Sequence, residues 1–165
     1  MTDSSDLNPD RFDAFGAQLD AKGFSGDWTT QKDHQWVLST DNSAFQVVPD
    51  LIVYPKTETD VQRVCQVGAT DSFRDIPITA RGGGTGTCGN ALNLGIVVDL
   101  SRYMTGVLSY NPDESWIDVA PGITLYDVNR VVAKDGLKFA ATVGPANRAT
   151  IGGMVNTDAA GKGSA

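Results

Sequence analysis

The 165-residue sequence has no long apolar run near its start. Its first 25 residues carry neither an extended hydrophobic stretch nor a basic opening, so neither a secretory signal peptide nor a membrane span is expected there. Cysteine is scarce. Cys65 and Cys88 are the only two, which implies no disulfide framework and fits a reducing cytoplasm. Histidine is scarcer still: His34 stands alone in a polar segment, where a solvated or capping role is expected rather than catalysis. No Ser–His–Asp set, metal-ligand cluster or acid–base carboxylate pair can be assembled from the sequence. Positive charge is also short. Thirteen Lys and Arg face twenty Asp and Glu, a net of −7, which argues against nucleic acid as a partner. The deficit is local. Residues 1–50 hold nine Asp against Arg11, Lys22 and Lys32, whereas residues 51–165 hold ten basic and eleven acidic residues. An anion-binding surface therefore belongs to the second part.

What is present is ordinary globular material: 41% hydrophobic and 20% charged, enough for one domain with a core. Residues 1–8 are polar and expected to fray. Phe12, Phe15 and Leu19 have helical spacing, with Gly23 as the stop. Residues 24–50 read as irregular, with Trp28, Trp36 and Phe45 as apolar anchors. A regular pattern then begins. Leu51–Tyr54 (LIVY) reads as a strand buried in a parallel sheet. Thr57 and Asp60 form a capping pair for a helix over Thr57–Ser72. Val61, Val64, Cys65, Gly68 and Ala69 lie on one face of it, with Cys65 as a small core residue. Ile76–Ala80 and Gly95–Leu100 read as two more strands. Beyond them the runs GVLSY and SWIDVA flank a polar turn at Asn111–Glu114 and predict an antiparallel hairpin. Thr124 and Asp127 cap a last helix, with Leu125, Val128, Val131 and Val132 as its apolar face and Gly136 as its end.

Between the second and third strands lies RGGGTGTCGN, Arg81–Asn90, half of it glycine. Gly84, Gly86 and Gly89 satisfy G-x-G-x-x-G, but the dinucleotide fingerprint needs a helix directly afterwards. Only five residues separate Gly89 from Gly95, so that helix has no room. Walker A fails as well, because Asn90 and Ala91 stand where Lys and Ser or Thr are required. A loop at the C-terminal end of a strand can instead hold phosphate with its own N–H groups. Thr85 and Thr87 add hydroxyls, and the alternative is a flexible linker. A second cluster, Thr150, Gly152, Gly153 and Asn156, suits close backbone approach to a flat uncharged ring, or else only close packing.

The segments IVYPKTETDVQRVCQ, RGGGTGTCGNALNLGIVVDLSRYM, DVAPGITLYDVNRVV and NRATIGGMVNTDAAGKGS together resemble the FAD-binding domain of the p-cresol methylhydroxylase/vanillyl-alcohol oxidase superfamily. Within it the chain is most similar to bacterial FAD-linked D-2-hydroxyacid dehydrogenases, of the group fused to an iron–sulfur half. GFSGDW and STDNSAFQVVPD resemble the segment leading into that domain. The resemblance implies an α+β fold of FAD-binding type 2: a small, mainly parallel β-α-β lobe followed by the start of an antiparallel α+β lobe. Residues 1–50 would be an N-terminal helix and irregular approach, and residues 51–165 the first part of the FAD-binding domain.

The resemblance also implies roles. Gly82, Gly83, Gly84, Thr85, Gly86 and Thr87 would wrap the FAD pyrophosphate. Gly144 and Pro145, with Thr150, Gly152 and Gly153, would run along the flavin and ribityl chain, and Asn156 would add a polar contact. Some members attach FAD through a His in the glycine loop or a Cys in the later segment. Thr85 and a Cys-free stretch over 142–153 stand here instead, so non-covalent FAD is expected, with Cys88 as a packing residue. Members of the family continue well past the equivalent of Ala165, into a substrate-binding part and, in the fused group, an iron–sulfur half. The expected activity of the whole is oxidation of a small 2-hydroxyacid of the D-lactate, glycolate or D-2-hydroxyglutarate class, with the present chain inactive alone. A non-catalytic nucleotide-binding module and a packing unit needing a partner chain are the competing readings.

Overall fold

A computed structural model of the chain describes residues 10–164. The fraying expected for residues 1–8 lies outside them. The chain divides into two compact units, one within Met1–Ala80 and Gly86–Asp99, the other within Arg81–Thr85 and Leu100–Ala165.

The first unit is built on a sheet of four strands, in the order β1 (Asp27–Thr29), β2 (Leu51–Tyr54), β4 (Ile96–Asp99), β3 (Ile78–Arg81). β2 and β4 pair in parallel, Leu51 opposite Ile96 and Val53 opposite Val98. Every residue of both strands is buried, which is why LIVY and IVVD show no alternation. On the far side of β4 the Ile96 N–H donates to Pro77 O and the Leu100 N–H to Arg81 O. The two strands thus advance in the same direction, and β3 begins at Ile78, two residues later than the sequence suggests. Pro77 has no N–H for a ladder and serves only as acceptor. β1 pairs antiparallel with β2 and lies in the segment expected to be irregular, as does α2 (Lys32–Val37).

Parallel strands need a crossover, and α3 (Glu58–Gly68) provides it. Thr57 accepts from the Asp60 N–H and the Asp60 carboxylate accepts from the Thr57 N–H, the capping box the sequence shows. The helix ends at Gly68 rather than Ser72. Its last turn is closed by the Thr70 hydroxyl donating to Val67 O at 2.8 Å. Its buried face is also rotated from the expected one, being Asp60, Val64 and Val67. Cys65 is exposed and is not a core residue. The frame turns because Asp60 faces inward. Its Oδ1 accepts from the Ser25 N–H at 2.9 Å and Arg63 Nη1 at 3.1 Å. Its Oδ2 accepts from the Ser25 hydroxyl at 2.6 Å and from the N–H groups of Lys56 and Thr57 at 3.1 Å.

α1 (Asp10–Ala21) buries Phe12, Phe15 and Leu19 as expected and ends before Gly23, whose φ is +78°. Phe15 meets Phe73 edge-on at 5.1 Å between ring centres. Trp28 is an anchor: its ring covers Gly16 and its indole N–H donates to the Asp20 carboxylate. Trp36 and Phe45 are not, being 58% and 60% exposed. Gln35 and Ser39 are the buried residues of that segment instead, because Gln35 Nε2 donates to Asp50 O at 2.7 Å. His34 is half-buried. Its Nδ1 lies 3.0 Å from the hydroxyl of Tyr54, a residue of β2.

In the second unit β5 (Val107–Asn111) and β6 (Trp116–Val119) form the expected hairpin, with Ser115 at φ 56° closing the turn. α4 (Leu125–Val132) is capped by Thr124, which accepts from the Asp127 N–H at 3.1 Å. It buries Leu125, Val128 and Val132, and a short 3-10 turn then ends at Gly136 with φ 72°. α5 (Ile151–Asn156) runs out of the second glycine cluster and buries Met154. Leu125, Ala149 and Met154 form this unit's small core, with Val143 and Ile151 packed against it.

Burial alone pushes the Asp60 carboxyl up, but the hydrogen bonds from Ser25, Thr57 and Lys56 outweigh it and hold the group well below the usual carboxylate range. Its stabilisation is therefore complete above the unfolded pKa of about 4 and is lost as pH falls toward the lowered folded value. Asp60→Asn is expected to cost about 2–4 kcal/mol at neutral pH, since three N–H groups lose a charged acceptor. The gap between the urea midpoints of variant and parent should narrow as the buffer is taken from pH 6 to roughly pH 3. A gap independent of pH would contradict this account.

Candidate functional site

The glycine loop leaves the sheet at the C-terminal end of β3. Arg81 is the turning point, 7% exposed. Its guanidinium lies against Gly84, where a Cβ would stand 2.5 Å from Nη2. Gly84 has φ +64°, the left-handed region that side chains with a Cβ enter at a cost. Gly82 and Gly83 are glycine for a different reason. A Cβ on Gly82 would run into the Thr150 hydroxyl, and one on Gly83 into the carbonyl oxygen of Arg148. The two glycine-rich segments of this unit therefore touch, and Gly82, Gly83 and Thr150 come together. Thr150, 3% exposed, is the N-cap of α5 but makes no side-chain cap bond.

The second segment is held by the start of α4. The Leu125 N–H donates to Ala149 O at 3.0 Å and the Tyr126 N–H to Ala146 O at 2.9 Å. In return the Ile151 N–H donates to Ile123 O and the Gly152 N–H to Pro121 O. Pro145 O accepts from the N–H groups of both Arg148 and Ala149 at 2.8 Å, tightening the turn between them. Gly152 has no room for a Cβ, which would stand 2.8 Å from Pro121 Cβ. Gly153 is open except for Thr150 Oγ1 at 3.3 Å. Gly144 is open altogether, with no described atom within 4 Å of where a Cβ would be. Asn156 is exposed and its amide donates to Gly152 O at 2.8 Å.

The other half of the loop belongs to the first unit. A Cβ on Gly86 would meet Asn90 Oδ1 at an ordinary 3.5 Å. Thr87 lies next to the exposed Cys88, its hydroxyl 3.9 Å from the thiol, so Cys88 is not a packing residue. Gly89, φ +75°, sits against the Phe45 ring, 3.1 Å from where its Cβ would be. That contact could not be read from the sequence, where Phe45 shows only as an apolar residue in a polar stretch.

One property runs along the whole loop. No described residue accepts a hydrogen bond from the N–H of Gly83, Gly84, Thr85, Gly86 or Thr87. In the second unit, the unpaired N–H groups of Gly83, Gly84 and Thr85, the first two on residues without a Cβ, follow the buried Arg81 and are the chemistry of an anion cradle.

Residues 49–165 match the family described as FAD binding domain. The chain belongs to this FAD-binding domain family. It is 42% identical over 150 residues to the D-2-hydroxyglutarate dehydrogenase of Escherichia coli (strain K12), covering 91% of this chain. The chain spans 15% of that protein's length and 14% of the like-named protein of Pantoea ananatis. Among solved structures, an alkyldihydroxyacetonephosphate synthase superposes with a TM-score of 0.76 at 20% identity, covering 91% of this chain and 30% of that one. These likenesses bear out the α+β FAD-binding fold expected from the sequence, and with it FAD as the family's cofactor. The residues fit such a group where it carries phosphate, since the N–H groups of Gly83, Gly84 and Thr85 have no acceptor among the described residues. No helix among the described residues is long and apolar enough to cross a membrane.

Gly84→Val should lower stability by about 1–2 kcal/mol, because a β-branched residue is forced into the left-handed region against Arg81. Gly144→Ala should stay within about 0.5 kcal/mol, having nothing to collide with. Urea midpoints of the two variants check this, and equal losses would show that Gly84 is not held as described.

Proposed function

We propose that this chain is the first part of the FAD-binding portion of an oxidoreductase acting on a D-2-hydroxyacid of the 2-hydroxyglutarate, lactate or glycolate class. The observation carrying the substrate class is the 42% identity, across 91% of this chain, to a protein named for D-2-hydroxyglutarate. Residues 51–165 make up the FAD-binding part, and the N–H groups of Gly82–Thr87, with the Thr85 and Thr87 hydroxyls, hold the diphosphate. Gly144, Pro145, Thr150, Gly152 and Gly153 line the flavin and ribityl chain, where Gly144 leaves open backbone. Asn156 offers its remaining amide oxygen nearby. The flavin, when bound, supplies the hydride acceptor. The chain's own contribution is to bind and orient it: N–H donors for the phosphates and, at Gly144, open backbone for the ring. Thr85 and Cys-free residues 142–153 accord with non-covalent attachment, and the two free cysteines accord with a reducing cytoplasm.

Gel-filtered full-length protein reconstituted with FAD should be yellow. Gly84→Val should lose flavin, whereas Gly144→Ala should keep its stability and hold less flavin. In the full-length protein, one of D-2-hydroxyglutarate, D-lactate or glycolate should bleach the bound flavin without added reductant. Flavin retained but bleached by none of them would remove the substrate class, and a colourless parent protein would remove the cofactor assignment.

A further inference from the structure

Arg148 is the only charged residue between Lys138 and Asp158. Its backbone carbonyl packs so tightly on Gly83 that a Cβ there would strike it, so its Cα lies beside the first turn of the glycine loop. Its side chain is exposed. Four other arginines are paired with carboxylates: Arg11 with Asp75, Arg63 with Asp60, Arg74 with Asp71 and Arg130 with Asp127. Arg148 has neither an ion pair nor a side-chain hydrogen bond among the described residues. In a chain of net charge −7, Arg148 is thus an exposed cation without a carboxylate partner beside unpaired N–H groups.

We propose that Arg148 is a phosphate-binding residue, its guanidinium engaging the diphosphate held by the N–H groups of Gly83, Gly84 and Thr85. The assignment rests on the FAD reading above and adds to it a residue with a defined electrostatic signature. The free N–H groups fix geometry, while the guanidinium brings the full positive charge and a planar fork suited to phosphate oxygens. Because the side chain is exposed, its attraction is screened by salt, unlike the backbone contribution.

The test is titration of the flavin-stripped protein with FAD, FMN and riboflavin at low and high ionic strength. Arg148→Gln should weaken FAD roughly tenfold at low salt and flatten its salt dependence. FMN should weaken less, and riboflavin, which has no phosphate, should be unchanged. Arg148→Lys should recover the salt dependence and part of the affinity. The Gly83 contact involves the backbone carbonyl and survives both substitutions, so thermal midpoints should not move. If Arg148→Gln binds FAD as the parent does, or weakens riboflavin as much as FAD, the assignment is wrong while the FAD reading stands. A parent that binds riboflavin and FAD equally, or neither, overturns both.

Discussion

A carboxylate removed from water must have its charge answered by the chain, and in the first unit that condition falls on Asp60. Its donors come from Ser25 in the approach to β1, from Lys56 and Thr57 after β2, and from Arg63 one turn along α3. One side chain thereby ties the N-terminal segment, the crossover and the helix to a single point. The helix start then fixes the phase at which Val64 and Val67 turn inward. The parallel β2–β4 pairing requires that crossover, and β3 takes its place beside β4, delivering the chain into the glycine loop at its C-terminal end.

The loop's glycines answer two different demands. At Gly84 the backbone needs a left-handed turn over the Arg81 guanidinium. At Gly82 and Gly83 it needs to approach Thr150 and the Arg148 carbonyl more closely than a side chain permits. The second demand joins the two glycine-rich segments of the second unit. Thr150 is consequently buried, and Arg148 is carried to the loop by main-chain packing rather than by any interaction of its own charge. The packing reading of glycine and the ligand reading are thus not rivals here. Close packing accounts for the residues that bring the segments together, and the open position, Gly144, faces no described atom within 4 Å.

Several expectations about burial failed. Trp36, Phe45, Cys65 and Cys88 are apolar or weakly polar residues in plausible places, and all are exposed. For Cys65 the displaced element is visible: a helix face counted from Val61 places Cys65 inward, whereas the buried Asp60 rotates the helix. In the α2 segment, Gln35 and Ser39 occupy the interior, where Gln35 Nε2 donates to Asp50 O and the Ser39 hydroxyl to Trp36 O, while Gln35 Oε1 has no partner among the described residues. Hydrophobicity ranks residues for burial, but a polar residue held by hydrogen bonds, as Asp60 is, can take the inside position from an apolar one.

Local and short-range physics was legible in the sequence itself. The continuous apolar runs of β2 and β4, the capping pairs Thr57–Asp60 and Thr124–Asp127, the β5–β6 hairpin and the stops at Gly23 and Gly136 each follow from residues a few positions apart. So did the rejection of a Rossmann helix, which is a matter of counting residues between Gly89 and Gly95. The wording of the glycine segments also carried the resemblance to FAD-binding domains. Tertiary structure alone decided that Asp60 faces inward, that β1 joins the sheet, that His34 meets Tyr54, and that Gly82 and Gly83 are occupied by Thr150 and Arg148. Each of those is a contact between residues at least twenty positions apart. Such contacts depend on which backbone groups remain unpaired once the sheet has closed, and no window of the sequence contains that information.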